Sequence, residues 1–550
     1  MGEVRPAAVA SGPIRPQLPG ATQRSEGQRR PPPASSCNSV EVRDRPAAAV
    51  WCATAMLALL VVLWSVAVPL YRAVDEPQHL STVLRLAAGD GYPPPGSGRL
   101  RPEVAASYRY ADFPGGDART FVPPRAVRAL PAPFPSFRQL ESRPVPLDQV
   151  GQPDQMTQHP PLWPLLAAAE VRLLGLRAVP ADIAVVTLRV LQGLLLLPLP
   201  LLIWRTARRL GAGRAAAAAA GFVPLLAPQL LHIGASVTDG DLLLLEFALA
   251  TPLLVAVTQG PRSTTRAVAL GLVVTAALLT KSFALLLPGC VVLAFAAGAG
   301  WRLRHVTWRP LLVALGLPVV LAGWWYVLRL ASTGSIQPSG YPDGFLRALA
   351  GRLSPGAAVE IFVGSVLKTS WRDLGWFETP GSFTGALAVW LAVAAPVVVT
   401  LRRRDTRGPV VVALAPFVLL TGLVCALEVS VFVHLHAVYG AQGRYLFPGL
   451  VGVAGVAAVS LSGAGRLATA ARLALPLGCL TAQGFGLRLA GRYFWVGGRS
   501  AALAWSPVPG DVLAPAAVLA VLLALAAAVG VVRSGQREGP TPAAGRAFAR

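Results

Sequence analysis

Charge is scarce in this sequence, and one kind of charge is almost missing. Only 14% of its 550 residues are charged, and Lys281 and Lys368 are the only two lysines, so nearly every cation is arginine. The arginines recur in short clusters between apolar runs and are not gathered in one basic region with interleaved aromatic residues. This pattern argues against a nucleic-acid-binding protein, in spite of a formal net charge of +23.

Cysteine and the common nucleotide-binding motifs are also sparse. The chain has five cysteines, an odd number, and most of them fall in or beside apolar runs. They support neither a disulfide framework nor a zinc site. The sequence lacks a Walker-type glycine-rich loop and a strand-turn-helix dinucleotide fingerprint, so nothing indicates a nucleotide-binding fold.

Long apolar runs are what the sequence has in abundance. Hydrophobic residues make up 54% of the chain, and its Leu-, Ala- and Val-rich runs approach the roughly 20 residues that a helix needs to cross a bilayer. Arginine clusters between the runs indicate cytoplasmic loops by the positive-inside rule. We therefore predict an all-α polytopic membrane protein with about 12 transmembrane helices, in a range of about 11 to 13. It should be integral to the plasma membrane, with both termini in the cytoplasm.

The predicted spans follow from the apolar runs and the arginine clusters that separate them. They are residues 48–70, 183–204, 215–231, 241–258, 267–280, 282–299, 310–330, 384–401, 409–428, 446–463, 470–488 and 512–532. The pair that flanks Lys281 is short enough to be re-entrant. Residues 161–176 are too short and too rich in proline for a span, so we predict a helix lying at the outer interface.

The remaining segments divide the chain into a membrane domain, two loops and two tails. Residues 1–46 are rich in Arg, Pro, Ser and Gly, which predicts a disordered cytoplasmic tail, and residues 533–550 form a second cytoplasmic tail. Within the membrane domain, residues 47–532, two segments are too polar to span: residues 71–160, with nine of the 26 acidic residues, and residues 331–383. Loops of this length are usually functional. We expect both on the extracytoplasmic side, the first with interfacial helices.

The first loop begins with a concentrated polar motif, Asp75-Glu76-Pro77-Gln78-His79, at the mouth of the first span. Pro77 is typical of the opening turn of a helix, and one helical turn brings His79 to the side of Asp75 and Glu76. Charged groups at the mouth of a membrane span indicate a functional site. The alternative is that Asp75 or Glu76 only caps an interfacial helix.

Three further polar groups lie at predicted outer membrane boundaries. These are His159 with Trp163, Asp239 with Asp241, and Lys281 between two apolar helices. An ammonium in that position needs an anionic partner, which a phosphate or a carboxylate would supply. The alternatives are a snorkelling lysine and helix caps at Asp239 and Asp241.

The second half of the chain adds aromatic and cationic groups near the same boundary. Trp371 opens a stretch of aromatic and charged residues that suits a sugar or a lipid headgroup, or else an aromatic belt. Arg444 and Tyr445 precede a late span, and Arg189 lies within the second one. A guanidinium can hold an anionic headgroup through two hydrogen bonds; snorkelling to the interface is the alternative.

Together, these motifs resemble those of the GT-C superfamily of membrane glycosyltransferases. The acidic pair after the first span, the His-Pro-Pro-Leu-Trp segment, the Leu-Thr-Lys hairpin and the Gln-Gly-Arg-Tyr-Leu segment look most like an uncharacterised bacterial branch of that superfamily, a domain of unknown function. The resemblance covers about residues 47–532. It implies transfer of a sugar from a polyprenyl-phosphate donor, on the extracytoplasmic face, to an envelope glycan, lipid or protein.

The resemblance also implies roles for individual residues. Asp75 would be the general base on the acceptor hydroxyl, with Glu76 as its acidic neighbour. Lys281, Arg189 and Arg444 would contact the donor phosphate. His159 and Trp163 would line the cavity, with Asp239 as a further match. The residue types themselves add His79, Trp371 and Tyr445 as predicted substrate-binding residues.

A metal ion and other functions stay open at this point. The oxygen and imidazole ligands that Mg2+ or Mn2+ accept are present in Asp75, Glu76 and His79, and also in His159 and Asp154. Alternative functions are a transporter or lipid flippase, a scaffold for envelope assembly, and an O-antigen ligase or polymerase that uses Arg444. In that last case His434 and His436 would carry the chemistry and Asp75 would be dispensable.

Overall fold

The structure of the protein is a computed structural model. It describes residues 45–114, 126–128, 134–145, 151–260, 263–342, 344–379, 382–402, 407–463 and 465–537. The described residues from Pro46 onward belong to one compact unit. The predicted N-terminal tail lies outside the described residues except for its last two positions, as does most of the predicted C-terminal tail.

The described part of the chain is helical throughout and has no β-strand, only three isolated bridges. The all-α prediction is therefore confirmed. The α-helices are α1 Ala48–Ala67, α2 Glu76–Ala88, α3 Pro102–Ser107, α4 Phe137–Glu141, α5 Leu162–Leu173, α6 Ala181–Leu194, α7 Leu199–Arg209, α8 Arg214–Ala220, α9 Pro228–Gly234, α10 Gly240–Gln259, α11 Thr264–Thr280, α12 Leu287–Gly298, α13 Trp308–Thr333, α14 Pro355–Thr369, α15 Phe383–Leu401, α16 Arg407–Leu435, α17 Leu450–Ser460, α18 Arg466–Phe494, α19 Gly498–Trp505 and α20 Gly510–Arg537. Short 3-10 helices include Gln155–Gln158, Val223–Leu226, Ser282–Leu286 and Gly443–Gly449.

Among the described residues, nine helical stretches are long and apolar enough to cross a membrane, and the protein is an integral membrane protein. They are Ala48–Ala67, Ala181–Arg209, Gly240–Gln259, Trp308–Thr333, Phe383–Leu401, Arg407–Leu435, Gly443–Ser460, Arg466–Phe494 and Gly510–Gln536. The two segments beside Lys281 are apolar but shorter, Thr264–Thr280 and Ser282–Gly298, as predicted.

One predicted span, residues 215–231, is wrong as a continuous helix. It consists of α8, the 3-10 helix Val223–Leu226 and α9 in succession. Pro224 and Pro228 lack the backbone N–H that a helix interior needs, and their rings clash with the preceding turn, so the helix restarts twice.

Buried polar contacts tie this broken segment to its neighbours. The Trp64 indole on α1 donates to Gln483 Oε1 on α18 at 2.8 Å. The Gln483 amide donates in turn to the Leu225 carbonyl at 2.7 Å. A carbonyl freed by the broken helix thus has a partner from α18, as a buried polar group requires.

The two long loops meet on one face of the helical domain, here called the loop face and formed by the described parts of residues 71–160 and 331–379. The Trp376 indole donates to the Tyr71 carbonyl at 2.9 Å. The backbone N–H of Gly340 donates to Gln158 Oε1 at 3.2 Å. Segments far apart in sequence therefore cover the same helix ends, and the candidate site lies beneath them.

Candidate functional site

A cavity of about 790 Å3 lies below the loop face, between the loops and the ends of α10 and α16. Its polar lining includes residues from both loops and from the hairpin that follows α11. Together with residues from α10, α16 and the Gly443–Gly449 helix, the polar lining includes Asp75, His79, Gln155, Gln158, His159, Asp239, Asp241, Lys281, Glu378, Glu428, Gln442, Arg444 and Tyr445. Seven of the predicted site residues are in this set.

Asp75 points a carboxylate into the cavity because of its backbone conformation. Its φ of 65° is left-handed, which is uncommon for a residue other than glycine. The side chain makes no capping hydrogen bond to α2, so the capping interpretation is wrong for Asp75. Instead, Oδ2 accepts from Arg444 Nη2 at 2.7 Å, and Oδ1 accepts from Gln155 Nε2 at 3.2 Å.

Glu76, the next residue, faces the opposite way, into a buried ion pair with Arg189. Both side chains have 0% exposure. Arg189 Nε and Nη2 donate to Glu76 Oε1 and Oε2 at 2.7 and 2.6 Å, and its remaining donors bind backbone carbonyls at the end of α1. Neither residue lines the cavity. Glu76 therefore lies away from the catalytic position beside Asp75 that was implied for it, and Arg189 away from the implied phosphate contact. The pair forms a brace that joins α1, α2 and α6.

Asp239 and Lys281 form the second charged pair of the cavity. Lys281 Nζ donates to Asp239 Oδ1 at 2.9 Å. His79 Nε2 and His159 Nε2 lie 3.8 and 3.9 Å from the same carboxylate. The Asp239 side chain makes no capping hydrogen bond to α10, so the capping interpretation is wrong here too.

The two imidazoles of this cluster are neutral near neutral pH. Their rings are nearly parallel, with centroids 6.4 Å apart. Burial lowers the pKa of His79 to about 4 and the pKa of His159 to about 3. Burial alone would raise the pKa of Asp239, but the Lys281 ammonium and the imidazoles hold it well below its usual value. The cluster therefore combines one ion pair with two uncharged groups that each have a donor and an acceptor nitrogen.

Two predicted tryptophans lie outside the cavity lining. Trp163 is buried behind His79, with the rings edge to face at 5.1 Å, and its indole donates to Gln192 at 2.8 Å. Trp371 donates to the Leu226 carbonyl at 3.0 Å and lines a separate apolar pocket of about 70 Å3. Trp163 therefore supports the cavity wall from behind, whereas Trp371 belongs to a separate pocket.

The histidines of the ligase-type alternative do not join Arg444. His434 is exposed near the end of α16, where Nδ1 contacts the Ser430 carbonyl at 2.8 Å. Neither His434 nor His436 lines the cavity that holds Arg444. The structure therefore does not bring that catalytic set together.

One cavity carboxylate, Glu428, was missed by the sequence reasoning, and another, Glu378, lies in the predicted functional stretch that Trp371 opens but was given no role of its own. Glu428 interrupts the apolar run of α16, and an ionisable residue inside a span is a signal that could have identified it. Its two oxygens accept from the backbone N–H groups of Tyr439 and Gly440. Glu378 comes from the second loop, and Arg72 Nη1 donates to its Oε2 at 3.2 Å. No local spacing connects Arg72 to a residue 306 positions later.

The apolar part of the cavity lining, here called its apolar wall, reaches the protein surface. Its lining includes Leu230, Ile233, Leu243, Leu244, Leu286, Leu423, Val431 and Phe447. Leu285 and Leu427 belong to the same wall and are 41% and 46% exposed. They lie on helical segments of the membrane domain.

The candidate metal ligands do not converge. Of the candidate ligands Asp75, Glu76 and His79, Glu76 is paired with Arg189, so only Asp75 and His79 lie at the cavity. Within the residues that the structure describes, no group of three or more His, Cys, Asp or Glu side chains is arranged to hold a metal ion. Dependence on Mg2+ or Mn2+ stays a prediction.

Comparisons with known proteins give a family match. The family model described as predicted membrane protein (DUF2142) matches residues 57–453, which confirms the predicted membership of a family of unknown function. No curated protein gives a significant match.

Solved structures give weaker similarities. The chain is similar to ArnT from Cupriavidus metallidurans bound to undecaprenyl phosphate, with 16% identity, a TM-score of 0.45, and coverage of 88% of this chain and 77% of that one. It is also similar to the Archaeoglobus fulgidus oligosaccharyltransferase in the apo form, with 12% identity, a TM-score of 0.34, and coverage of 87% and 55%.

Proposed function

The chain belongs to the DUF2142 family of membrane proteins, and we propose that it is a glycosyltransferase that moves a sugar from a polyprenyl-phosphate donor to a cell-envelope acceptor. One observation carries this proposal: two cations, Lys281 and Arg444, line a single cavity whose apolar wall reaches the protein surface. A ligand with a phosphate at one end and a long hydrocarbon chain at the other matches both features.

The phosphate of the donor would bind between Lys281 and Arg444. Their side chains are only 13% and 10% exposed, and each has one carboxylate partner in the cavity. Electrostatic stabilisation is strongest where charge develops in a site that excludes water. In this reaction negative charge develops on the departing phosphate, so both cations would lower the barrier as well as bind the donor.

The sugar of the donor would bind beside the histidine cluster. Neutral His79 and His159 each offer one hydrogen-bond donor and one acceptor, which suits hydroxyl groups. Gln155 and Gln158 line the same part of the cavity and add amide donors and acceptors. These groups would orient the anomeric carbon while the phosphate is held by the cations.

The acceptor would enter from the loop face, which we propose to be extracytoplasmic, with both termini in the cytoplasm. Its hydroxyl oxygen attacks the anomeric carbon, and its proton passes to a general base. The sequence resemblance assigns this base to Asp75, whose carboxylate lines the cavity. The acceptor is an envelope glycan, lipid or protein.

The test is release of polyprenyl phosphate by the purified, reconstituted protein given a panel of radiolabelled polyprenyl-phosphate sugars and crude envelope acceptor. We expect sugar-dependent release with at least one donor. In Lys281→Ala and in Arg444→Ala the rate of release should fall about 100-fold or more, because the loss of one electrostatic contact to the developing charge has an effect of that order.

The chain offers a matched control in its other lysine. Lys368 lies on α14 and does not line the cavity, so Lys368→Ala should release polyprenyl phosphate at the wild-type rate. Absence of release by folded wild-type protein with every donor would contradict the proposed function and favour transport.

A further inference from the structure

Four arginines are buried among the residues that the structure describes, and one of them differs from the rest. Arg72, Arg101 and Arg189 each donate to at least one carboxylate. Arg329, which is 8% exposed, has no such partner in the described part of the chain. Its Nε is shielded without a hydrogen bond, and its terminal nitrogens donate to no described residue either. A buried cation without a counterion is costly, so Arg329 calls for an anion that the described residues do not supply.

Two aromatic rings hold the Arg329 side chain in a corner, here called the aromatic corner and formed by Tyr92 and Trp325. The guanidinium carbon lies 4.1 Å from the centre of the Trp325 ring and 5.9 Å from the centre of the Tyr92 ring. The two rings meet edge to face, with centroids 5.7 Å apart. The Tyr92 hydroxyl donates to the His159 carbonyl at 2.7 Å and thereby fixes its own ring. Cation–π contacts orient a guanidinium, but they replace only part of the hydration that it loses on burial.

The aromatic corner lies near the end of α13 at which the second long loop begins. This helix ends at Thr333, about one turn beyond Arg329. Exposed apolar side chains flank Arg329 on the helix: Val327, Leu328 and Leu330 are 67%, 52% and 51% exposed. The same helix is among the stretches that are long and apolar enough to cross a membrane. A lipid whose hydrocarbon chains pack along these residues would bring its headgroup to the level of Arg329.

A phosphate is the anion that this arrangement suits. A guanidinium presents its N–H donors in a planar fork that matches two phosphate oxygens. The aromatic corner is separate from the donor cavity, because neither its two rings nor Arg329 line that cavity. It has one cation where the cavity has Lys281 and Arg444, so it should bind a lipid phosphate more weakly than the cavity does.

We infer that Arg329, Trp325 and Tyr92 form a second anion site, outside the cavity, which binds the phosphate of an anionic membrane lipid. The phosphate belongs to a lipid and not to a free ion because exposed apolar residues flank Arg329 on α13. The inference does not depend on the proposed sugar transfer. The competing explanation is structural, with the cation–π contacts alone keeping Arg329 in the fold. The two explanations differ in what removal of the charge does to stability and to lipid binding.

The test is thermal unfolding of the full-length protein, purified and delipidated in an uncharged detergent. It is titrated with phosphatidylglycerol or with phosphatidylcholine of the same acyl chains. Phosphatidylglycerol should raise the melting temperature of the wild-type protein in a saturable way, and phosphatidylcholine, which has no net charge, should raise it much less. In Arg329→Gln the half-saturating phosphatidylglycerol concentration should rise about ten-fold or more, since one hydrogen bond to a charged group has an effect of that size.

Matched variants separate this site from the cavity and from general charge. The Lys281→Ala, Arg444→Ala double variant should keep the wild-type response to phosphatidylglycerol. Arg347 is an exposed arginine of the second loop, and Arg347→Gln should keep that response as well. Without added lipid, Arg329→Gln should melt at or above the wild-type temperature, because the variant no longer buries an unpaired charge.

Several results would overturn the inference. An Arg329→Gln variant that melts below wild type without lipid would assign Arg329 a structural role, and one that keeps the wild-type response to phosphatidylglycerol would exclude it from the lipid site. An equal response of the wild-type protein to both lipids would remove the need for an anion. Stabilisation by millimolar inorganic phosphate alone would assign the aromatic corner to a free ion, and loss of the lipid response in the Lys281→Ala, Arg444→Ala double variant would assign the lipid to the cavity.

Discussion

At the scale of single residues, the cations of the cavity are held ready by carboxylates that a phosphate would replace. Arg444 is paired with Asp75 and Lys281 with Asp239. A buried cation without a counterion is costly, so each pair keeps its cation in the cavity before any ligand arrives. A donor phosphate must compete with these carboxylates for both cations.

Removal of Asp75 should therefore strengthen the binding of an anionic lipid. In Asp75→Asn the Arg444 guanidinium keeps its position but loses its competing anion, and we expect the Kd for polyprenyl phosphate to fall about ten-fold, equivalent to about 1.4 kcal/mol. Equilibrium binding of polyprenyl phosphate to the protein in detergent measures this Kd. Asp241→Asn is the matched control, since no cation among the described residues is paired with Asp241. An unchanged or weaker affinity in Asp75→Asn would contradict the competition.

The neighbouring pair, Glu76 and Arg189, should matter for stability instead. Removing one partner of a fully buried ion pair usually lowers the free energy of unfolding by about 3 to 5 kcal/mol, because the other charge stays buried alone. Glu76→Gln should accordingly lower the melting temperature in detergent far more than Asp75→Asn does. Equal melting temperatures for the two variants would show that the Glu76–Arg189 pair does not stabilise the protein to this extent.

At the scale of elements, short polar contacts connect the second loop to the segment that carries Arg444. The backbone N–H of Gly443 donates to Thr369 Oγ1 at the end of α14 at 2.6 Å. A Cβ on Gly443 would lie 2.5 Å from the Ser370 Cβ. The helix α14 thus fixes the start of the Gly443–Gly449 helix and, with it, the direction of the Arg444 side chain.

Gly443→Ala should separate these two elements and weaken phosphate binding. We expect about a ten-fold or greater rise in the Kd for polyprenyl phosphate, since contact distances this short force a backbone shift. Gly364→Ala in the same region is the matched control, because nothing lies within 4 Å of a Cβ at Gly364. Similar affinities in the two variants would mean that α14 does not position Arg444.

The element scale also shows where sequence reasoning stops. Apolar runs of membrane length predicted the long helices, because a bilayer demands that length. They did not reveal that residues 215–231 break at two prolines, since composition alone does not show whether neighbouring helices satisfy the freed backbone groups. The apolar helix α14 was likewise hidden within a loop that reads as polar when averaged over residues 331–383.

At the scale of the whole molecule, the site is assembled from segments hundreds of residues apart. The sequence predicted that Asp75, His159, Asp239, Lys281 and Arg444 share a cavity. It could not predict that Asp75 and Glu76 face opposite ways, because a left-handed backbone at one residue decides this. The sequence reasoning placed Glu378 in a functional stretch of the second loop, but it could not predict the pairing with Arg72, 306 positions earlier.

The orientation of the molecule in the membrane is a prediction at this same scale. The loop face should be extracytoplasmic, and the arginine-rich turn after α12 cytoplasmic, as the positive-inside rule requires. In a cysteine-free background, Ser339→Cys should react with an impermeant thiol reagent added to intact cells. Arg304→Cys should react only after the membrane is permeabilised. The reverse pattern would place the cavity on the cytoplasmic side.

The central claim is that the cavity binds a lipid phosphate through Lys281 and Arg444, and lipid retention tests it most directly. Native mass spectrometry of the detergent-solubilised protein would compare polyprenyl phosphate with the uncharged polyprenol of the same length. We predict that wild-type protein retains the phosphate and not the alcohol, and that the Lys281→Ala, Arg444→Ala double variant retains neither. Equal retention of both lipids by wild-type protein, or undiminished phosphate retention by the double variant, would contradict the account.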